Sequence, residues 1–116
     1  MASGRRVEQV ENLLREVVAG ILLRDFPFPA GTMVTVTRAT VSHDLFHATI
    51  YISILGENAA GERQTFEELT RSAGDIQFTL NRKLRMRPVP RITFAMDQDE
   101  KRRERIEKLL GEKGAE

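Results

Sequence analysis

The chain has 116 residues, of which 41% are hydrophobic and 30% charged, and its formal net charge is +1. These proportions exclude a disordered chain, and the length predicts one domain large enough to bury a core. The sequence contains no cysteine, which excludes disulfides, thiolate metal sites and a thiol nucleophile. No apolar run approaches the roughly 18 residues of a membrane span, and the N-terminus lacks the apolar core of a signal peptide, so we expect a cytoplasmic protein.

An amphipathic helix is predicted from Arg5 to Arg24. Its apolar residues recur at helical spacing, so one face should be buried. The stripe consists of Val7, Val10, Leu14, Val17, Val18, Ile21 and Leu22. Prolines and a glycine in residues 25–31 stop the helix and turn the chain. We expect Phe26 and Phe28 to close the end of the core rather than to bind a ligand.

Two strands joined by a turn come next. Residues 32–39 are rich in β-branched side chains, and residues 45–55 alternate between apolar and more polar ones. The apolar positions of the second strand are Ala48, Ile50, Ile52 and Ile54. Residues 41–44 supply the turn. The pattern predicts a hairpin whose sheet is covered on a single side.

A long helix follows, with two possible starts. Asn58 fits an N-cap, and residues 65–68 fit a capping box. The apolar stripe of this helix is Leu69, Ala73, Ile76, Leu80 and Leu84. Gly74 weakens the helix interior by about 1 kcal/mol relative to alanine, and Pro88 and Pro90 forbid its continuation. We therefore predict a kinked helix that runs into an extended segment.

A third strand, residues 91–96, and a highly charged helix, residues 97–110, complete the predicted elements, with residues 111–116 as a flexible tail. The order is helix, strand, strand, kinked helix, strand, helix. The kinked helix would form a right-handed crossover to the third strand. This order predicts an α+β fold in one domain, residues 1–116, with a three-stranded mixed sheet and helices on one face.

The charges are segregated along the chain although the net charge is small. Residues 71–91 contain six cations and one acid, whereas residues 57–70 contain four acids and one cation. A segregated field steers a polyanion even towards a nearly neutral protein. The central helix is therefore the candidate binding element.

Four residues of this helix point to nucleic acid. Arg71, Phe78, Arg82 and Arg85 fall within about 60° of one another on a helical wheel, roughly opposite the apolar stripe. Clustered cations displace counterions from phosphates, and an exposed aromatic residue among them can stack on an unpaired base. Lys83, Arg87 and Arg91 extend the cluster. The alternative is a solvated face, with Phe78 turned under a neighbouring element after a change of phase at Gly74.

Residues with metal-binding or acid–base side chains are few. His43, Asp44 and His47 form one group, but residues four apart on a strand are separated by about 13 Å, so the imidazoles do not converge. We expect Asp44 to cap backbone amides in the turn. Asp97, Asp99 and Glu100 stand at the start of the last helix, where acids act as caps and dipole partners. We predict no enzyme, metal or cofactor.

Three motifs then identify a family. Residues 41–52 contain Ser42, Asp44 and Leu45 followed by Ala48 and Tyr51. A second motif runs from Leu84-Arg85-Met86-Arg87 through Val89-Pro90 to Ile92 and Phe94, and a third is Arg105-Ile106-Glu107-Lys108-Leu109-Leu110. In this order and at these separations they resemble the ribosome-binding factor A family of bacterial small-subunit assembly factors, over nearly the whole chain.

The resemblance implies a type II KH-like fold with a departure at its functional corner. KH domains grip nucleotides with a GxxG loop between two helices, whereas this family has an Ala-x-Gly kink there. Ser72, Ala73 and Gly74 occupy the equivalent point, with serine in place of the usual alanine. Gln77 stands where the family pattern suggests arginine, which removes one cation from the expected RNA face.

The resemblance further implies a monomer that binds the small ribosomal subunit and its rRNA during late maturation, with neither a membrane nor a small-molecule partner. The expected phosphate contacts are Arg71, Arg82, Lys83, Arg85, Arg87 and Arg91, with close backbone approach at Ala73 and Gly74. Ser42 and Asp44 are assigned to the fold. Two alternatives stay open: a KH-like single-stranded RNA-binding protein without a ribosomal role, and an adaptor whose basic face docks an acidic protein.

Overall fold

A computed structural model describes residues 3–99 of the chain. Its elements in chain order are α1 (Gly4–Asp25), β1 (Met33–Val41), β2 (His47–Leu55), α2 (Ala59–Arg71), α3 (Ala73–Lys83) and β3 (Arg91–Met96). The predicted order is confirmed as far as the third strand, and the kinked helix is present as the pair α2 and α3. Beyond residue 99, the expected last helix and the tail 111–116 lie outside the described residues.

Helix α1 forms because its start is capped and one side is apolar. The Ser3 Oγ accepts a hydrogen bond from the Arg6 N–H at 3.1 Å, which satisfies one of the free donors of the first turn. The buried residues of α1 are Val10, Leu14, Val18, Ile21 and Leu22. Each such side chain contributes about 1.5–3 kcal/mol when fully buried. Phe26 and Phe28 pack against the core after the helix ends, as predicted.

The sheet has the strand order β1-β2-β3, with β1 antiparallel and β3 parallel to β2. Val36 lies beside Ile52, and Ile92 lies beside Ala48, so the buried apolar side chains share one face. The helices pack on this face, and the core lies between them and the sheet. A β-bulge between Val36 and Arg38 shifts the register of β1, which restores the inward direction of the apolar residues beyond it.

The β1–β2 turn differs from the predicted boundaries, because β1 extends to Val41 and β2 begins only at His47. The cause is a network of short polar contacts. The Ser42 Oγ donates to the Asp44 Oδ1 at 2.6 Å, and the Phe46 N–H donates to the same oxygen at 2.9 Å. These donors lower the pKa of Asp44 from its ordinary value of 3.8, with the Ser42 hydroxyl as the larger cause. The expectation that Ser42 and Asp44 serve the fold is confirmed.

Helix α2 begins at the earlier of the two predicted starts. The Asn58 Oδ1 accepts a hydrogen bond from the Gly61 N–H at 2.7 Å, so Asn58 is the N-cap. Thr65 is instead buried within the helix, where its Oγ1 donates to the Gly61 carbonyl at 3.0 Å. The capping-box start is therefore wrong. A threonine with a glutamate three residues later fits a capping box by sequence, but Thr65 lies buried inside a helix that has already begun after Asn58.

Candidate nucleic-acid interface

The long helix breaks at Ser72, which ends α2 and precedes α3. Its backbone angles, φ −88° and ψ 2°, lie outside the regular helical region, and its N–H points at the carbonyls of the last turn of α2. The Ser72 side chain makes no capping hydrogen bond to α3. The bend predicted near Ala73 and Gly74 is therefore located one residue earlier.

Gly74 has no conformational reason to be glycine. Its φ is not positive, and a Cβ at this position would meet no atom within 4 Å. It lies exposed in the first turn of α3. The consequence is an accessible stretch of helix backbone beside the bend, which is the property that close approach of an RNA chain requires.

The predicted apolar stripe is buried except at Ala73, which is half-buried. Leu69, Ile76, Leu80 and Leu84 are each at most 5% exposed. The polar side differs from the prediction. Angles on a helical wheel hold only along one continuous helix, and the helix breaks at Ser72. Arg71 belongs to α2, Phe78 and Arg82 belong to α3, and Arg85 follows the end of α3. The four residues therefore do not share the face of one continuous helix.

The cations of this region are exposed and form no ion pair with the described part of the chain. Arg71, Arg82, Lys83, Arg85 and Arg91 are all exposed. Within residues 3–99 none of them forms an ion pair, and the ion pair found there joins Arg38 to Asp97. Arg82 and Lys83 also lie in the last turn of α3, where a cation is favourable beside the negative end of the helix dipole. Their charge is thus available to an anion from outside.

Residues 82–91, here called the basic segment, contain five of the cations and no acid. The segment covers the end of α3, the connection to β3 and the first residue of β3. Arg87 holds the connection in place. Its Nη1 donates to the Leu84 and Met86 carbonyls at 2.8 and 2.7 Å, and its Nη2 donates to the Asn81 carbonyl at 3.2 Å. Three of the five guanidinium donors are used, and two stay available for an external acceptor.

Phe78 is 63% exposed, so the alternative in which it turns under a neighbouring element is wrong. The Arg82 guanidinium carbon lies 5.8 Å from the centre of the Phe78 ring, within the range of a cation–π contact. The pair presents an aromatic face and a cation together on the outer side of α3.

Gln77 has a role that the sequence interpretation missed. Its Oε1 accepts the Ile92 N–H at 2.8 Å, and its Nε2 donates to the Pro90 carbonyl and to the Asn81 Oδ1, both at 3.0 Å. The side-chain amide thus forms hydrogen bonds with the backbone at the start of β3, as the backbone of a neighbouring strand would. Arginine has donors but no acceptor, so it cannot receive the Ile92 N–H. Glutamine at position 77 therefore removes one cation from the expected RNA face, but its hydrogen bonds connect α3 to β3.

The region described holds no group of three or more metal-ligating side chains that could bind an ion. His43 and His47 are exposed, and the Asp44 carboxylate is engaged by Ser42 and Phe46. No helix among the described residues is long and apolar enough to cross a membrane. Among the described residues, the candidate binding site is therefore the basic segment with its cluster of exposed cations.

Comparison with known proteins gives the family. Residues 6–110 match the family model described as ribosome-binding factor A. The chain belongs to the ribosome-binding factor A family. It is 38% identical to ribosome-binding factor A of Protochlamydia amoebophila, over 92% of this chain and 82% of that protein. The resemblance inferred from the three motifs is confirmed.

Solved structures of the ribosome-binding factor A family share the fold. The crystal structure of the Thermus thermophilus protein matches with a TM-score of 0.60 at 23% identity, over 78% of this chain and 94% of that one. A Thermus thermophilus homology model, fitted into a cryo-electron-microscopy map of a complex with the 30S subunit, gives a TM-score of 0.58 at 22% identity, over 73% and 88%. The α+β, KH-like architecture is confirmed.

Proposed function

We infer that this protein binds the small ribosomal subunit through its rRNA during late maturation and leaves when the particle is complete. It acts in the cytoplasm as a monomeric, single-domain RNA-binding factor that makes and breaks no bond. Family membership supports this function, as does the relative fitted into a 30S complex. The observation that carries the proposal is the basic segment, whose exposed cations lack ion-pair partners among residues 3–99.

Binding would proceed by displacement of counterions from the RNA backbone. Arg82, Lys83, Arg85 and Arg91 reach phosphates from the basic segment, and Arg71 does so from the end of α2. Arg87 contributes mainly by holding the connection between α3 and β3, with its two remaining donors open to phosphate oxygens. At the start of α3, where Ala73 is half-buried and Gly74 is exposed, the RNA backbone approaches closely.

Sedimentation with purified small subunits tests this function. We expect the protein to co-sediment at low salt and to be released as the salt concentration rises. Protein that stays in the free fractions at low salt would contradict ribosomal binding.

Charge reversal tests the surface. The double variant Arg82→Glu with Arg85→Glu should bind rRNA fragments more weakly, and each lost phosphate contact should lower the salt slope by roughly one. Arg5→Glu with Arg15→Glu is the matched control, since it changes net charge equally at exposed positions of α1. An unchanged slope in a folded Arg82/Arg85 variant would refute this surface. A loss of subunit binding with RNA affinity intact would instead favour the adaptor, whose basic face docks an acidic protein.

A further inference from the structure

Phe46 is an exposed aromatic residue that the proposed phosphate contacts do not use. It lies in the turn between β1 and β2 and is 52% exposed. The preceding residue, Leu45, has a positive φ of 63° and packs its side chain against the core. A leucine rarely adopts this conformation, and here it turns Leu45 inward while its neighbour stays in solvent.

The backbone of Phe46 is held at both of its polar atoms. Its N–H donates to the Asp44 Oδ1 at 2.9 Å, and its carbonyl accepts the Arg91 N–H at 2.8 Å. Asp44 is itself held by the Ser42 hydroxyl. The aromatic ring is therefore carried by an ordered backbone, so little further ordering is needed when a ligand binds.

Phe46 lies where the basic segment joins the sheet. Its carbonyl partner, Arg91, is the last cation of that segment, and His47 is the strand partner of Arg91. Adjacent strands are about 5 Å apart, so an RNA backbone bound at Arg91 has its bases within reach of the turn. Five cations without an acid in the basic segment favour a polyanion over an apolar protein surface as the occupant.

We propose that Phe46 is a base-stacking residue, which takes one unpaired nucleotide of an RNA strand whose phosphates follow the basic segment. This inference rests on the proposed function and names a contact outside the α2–α3 bend. Every base has a π-face, so such stacking tolerates any sequence, but it requires a base that is not paired. The ligand class is therefore single-stranded RNA at this end of the site.

A tryptophan reporter tests the contact directly. The chain contains no tryptophan, so Phe46→Trp introduces a single tryptophan at the proposed stacking position, and its emission can be excited selectively over that of the one tyrosine. A non-self-complementary RNA oligonucleotide should quench its fluorescence, because a base stacks on the indole. The control is Leu23→Trp: Leu23 is 86% exposed and lines a groove with Met33, at the other end of β1. Quenching confined to the Phe46 position supports the inference, and no quenching there, while the variant still binds RNA, overturns it.

Affinity measurements separate stacking from charge. Phe46→Ala should weaken binding of the same oligonucleotide by about 5- to 150-fold without changing the salt slope, because no phosphate contact is lost. Phe46→Tyr keeps a ring and should bind like the wild type, whereas Phe46→Leu keeps an apolar side chain without a ring and should bind weakly. Equal binding by the leucine and tyrosine variants would overturn base stacking.

Two further outcomes distinguish this inference from the proposed function. If Phe46→Ala binds RNA normally while Arg82→Glu with Arg85→Glu does not, the stacking contact is refuted and the function stands. If the wild-type protein binds neither RNA nor subunits, the proposed function itself is refuted. Loss of subunit binding by Phe46→Ala with unchanged RNA affinity would assign Phe46 to a protein partner and would also overturn the inference.

Discussion

Replacement of Gln77 by methionine tests whether the connection between α3 and β3 depends on a single side-chain amide. Methionine has nearly the same length, but its thioether is only a weak acceptor for the Ile92 N–H and cannot donate to the Pro90 carbonyl. Ile92 is only 4% exposed, so water does not readily replace the lost partner of its N–H. An unsatisfied buried donor costs about 1–3 kcal/mol, and the lost bond to Pro90 adds about 0.5–1.5 kcal/mol. We expect the free energy of unfolding to fall by about 1.5–4.5 kcal/mol.

Chemical denaturation measures this loss, and amide hydrogen exchange locates it. In the wild type the Ile92 amide should be protected, and in Gln77→Met it should exchange faster than the amides of β2. Asn81→Ala is the matched control, because it removes an exposed partner of Gln77 and leaves the bonds to Ile92 and Pro90 intact. It should cost no more than about 1 kcal/mol. A methionine variant as stable as the wild type, with Ile92 still protected, would refute the account of this connection.

Two other predictions concern the turn and the basic segment. The pKa of Asp44 is lowered below 3.8 by the Ser42 hydroxyl and the Phe46 N–H, so its stabilising contribution should be present above pH 3.8 and lost as the pH falls through the lower folded-state value. Chemical denaturation at pH values from about 7 to about 3 measures this contribution. As the pH falls, Asp44→Asn should lose less stability than the wild type. Equal losses in the two proteins would contradict this assignment. Arg87→Lys keeps the charge but cannot span three carbonyls, so stability should fall by about 1–2 kcal/mol, with the RNA salt slope unchanged. An Arg87→Lys variant as stable as the wild type would contradict this structural role of Arg87.

Hydrophobic periodicity was sufficient to predict most of the described fold. The alternation in β2 and the stripe of α1 each depend on burial of one face, which a linear pattern records directly. The mixed three-stranded sheet also followed, since a hairpin and a long helical connection leave few topologies. The boundaries at the β1–β2 turn were less accurate, because Asp44 and Leu45 shape it through side-chain contacts and a positive φ that periodicity does not encode.

The site was predicted less completely because its details depend on residues that meet only in three dimensions. Gln77 reaches Ile92 across 15 positions of sequence, and no local pattern distinguishes it from a solvated glutamine. The break at Ser72 likewise invalidates any angle counted from α2 to α3. A possible signal existed for Gln77: an uncharged residue at a position where the family pattern suggests a cation. By sequence the uncharged residue indicates only a lost cation, whereas in the structure Gln77 forms the hydrogen bonds that connect α3 to β3.

Gln77 and Arg87 together bear on the proposed binding of a polyanion by the basic segment, on a protein whose net charge is only +1. Long-range attraction is limited by this net charge, so affinity has to come from cations that are already in position when RNA arrives. Gln77 fixes the start of β3, Arg87 fixes the end of α3, and the Arg91 N–H bonds to the Phe46 carbonyl. A further cation at position 77 would add charge but release Ile92 and Pro90, so the start of β3 would be ordered only on binding. Gln77→Arg should therefore raise the salt slope without raising affinity in proportion, whereas an affinity gain equal to one full phosphate contact would show that the order of the segment is unimportant.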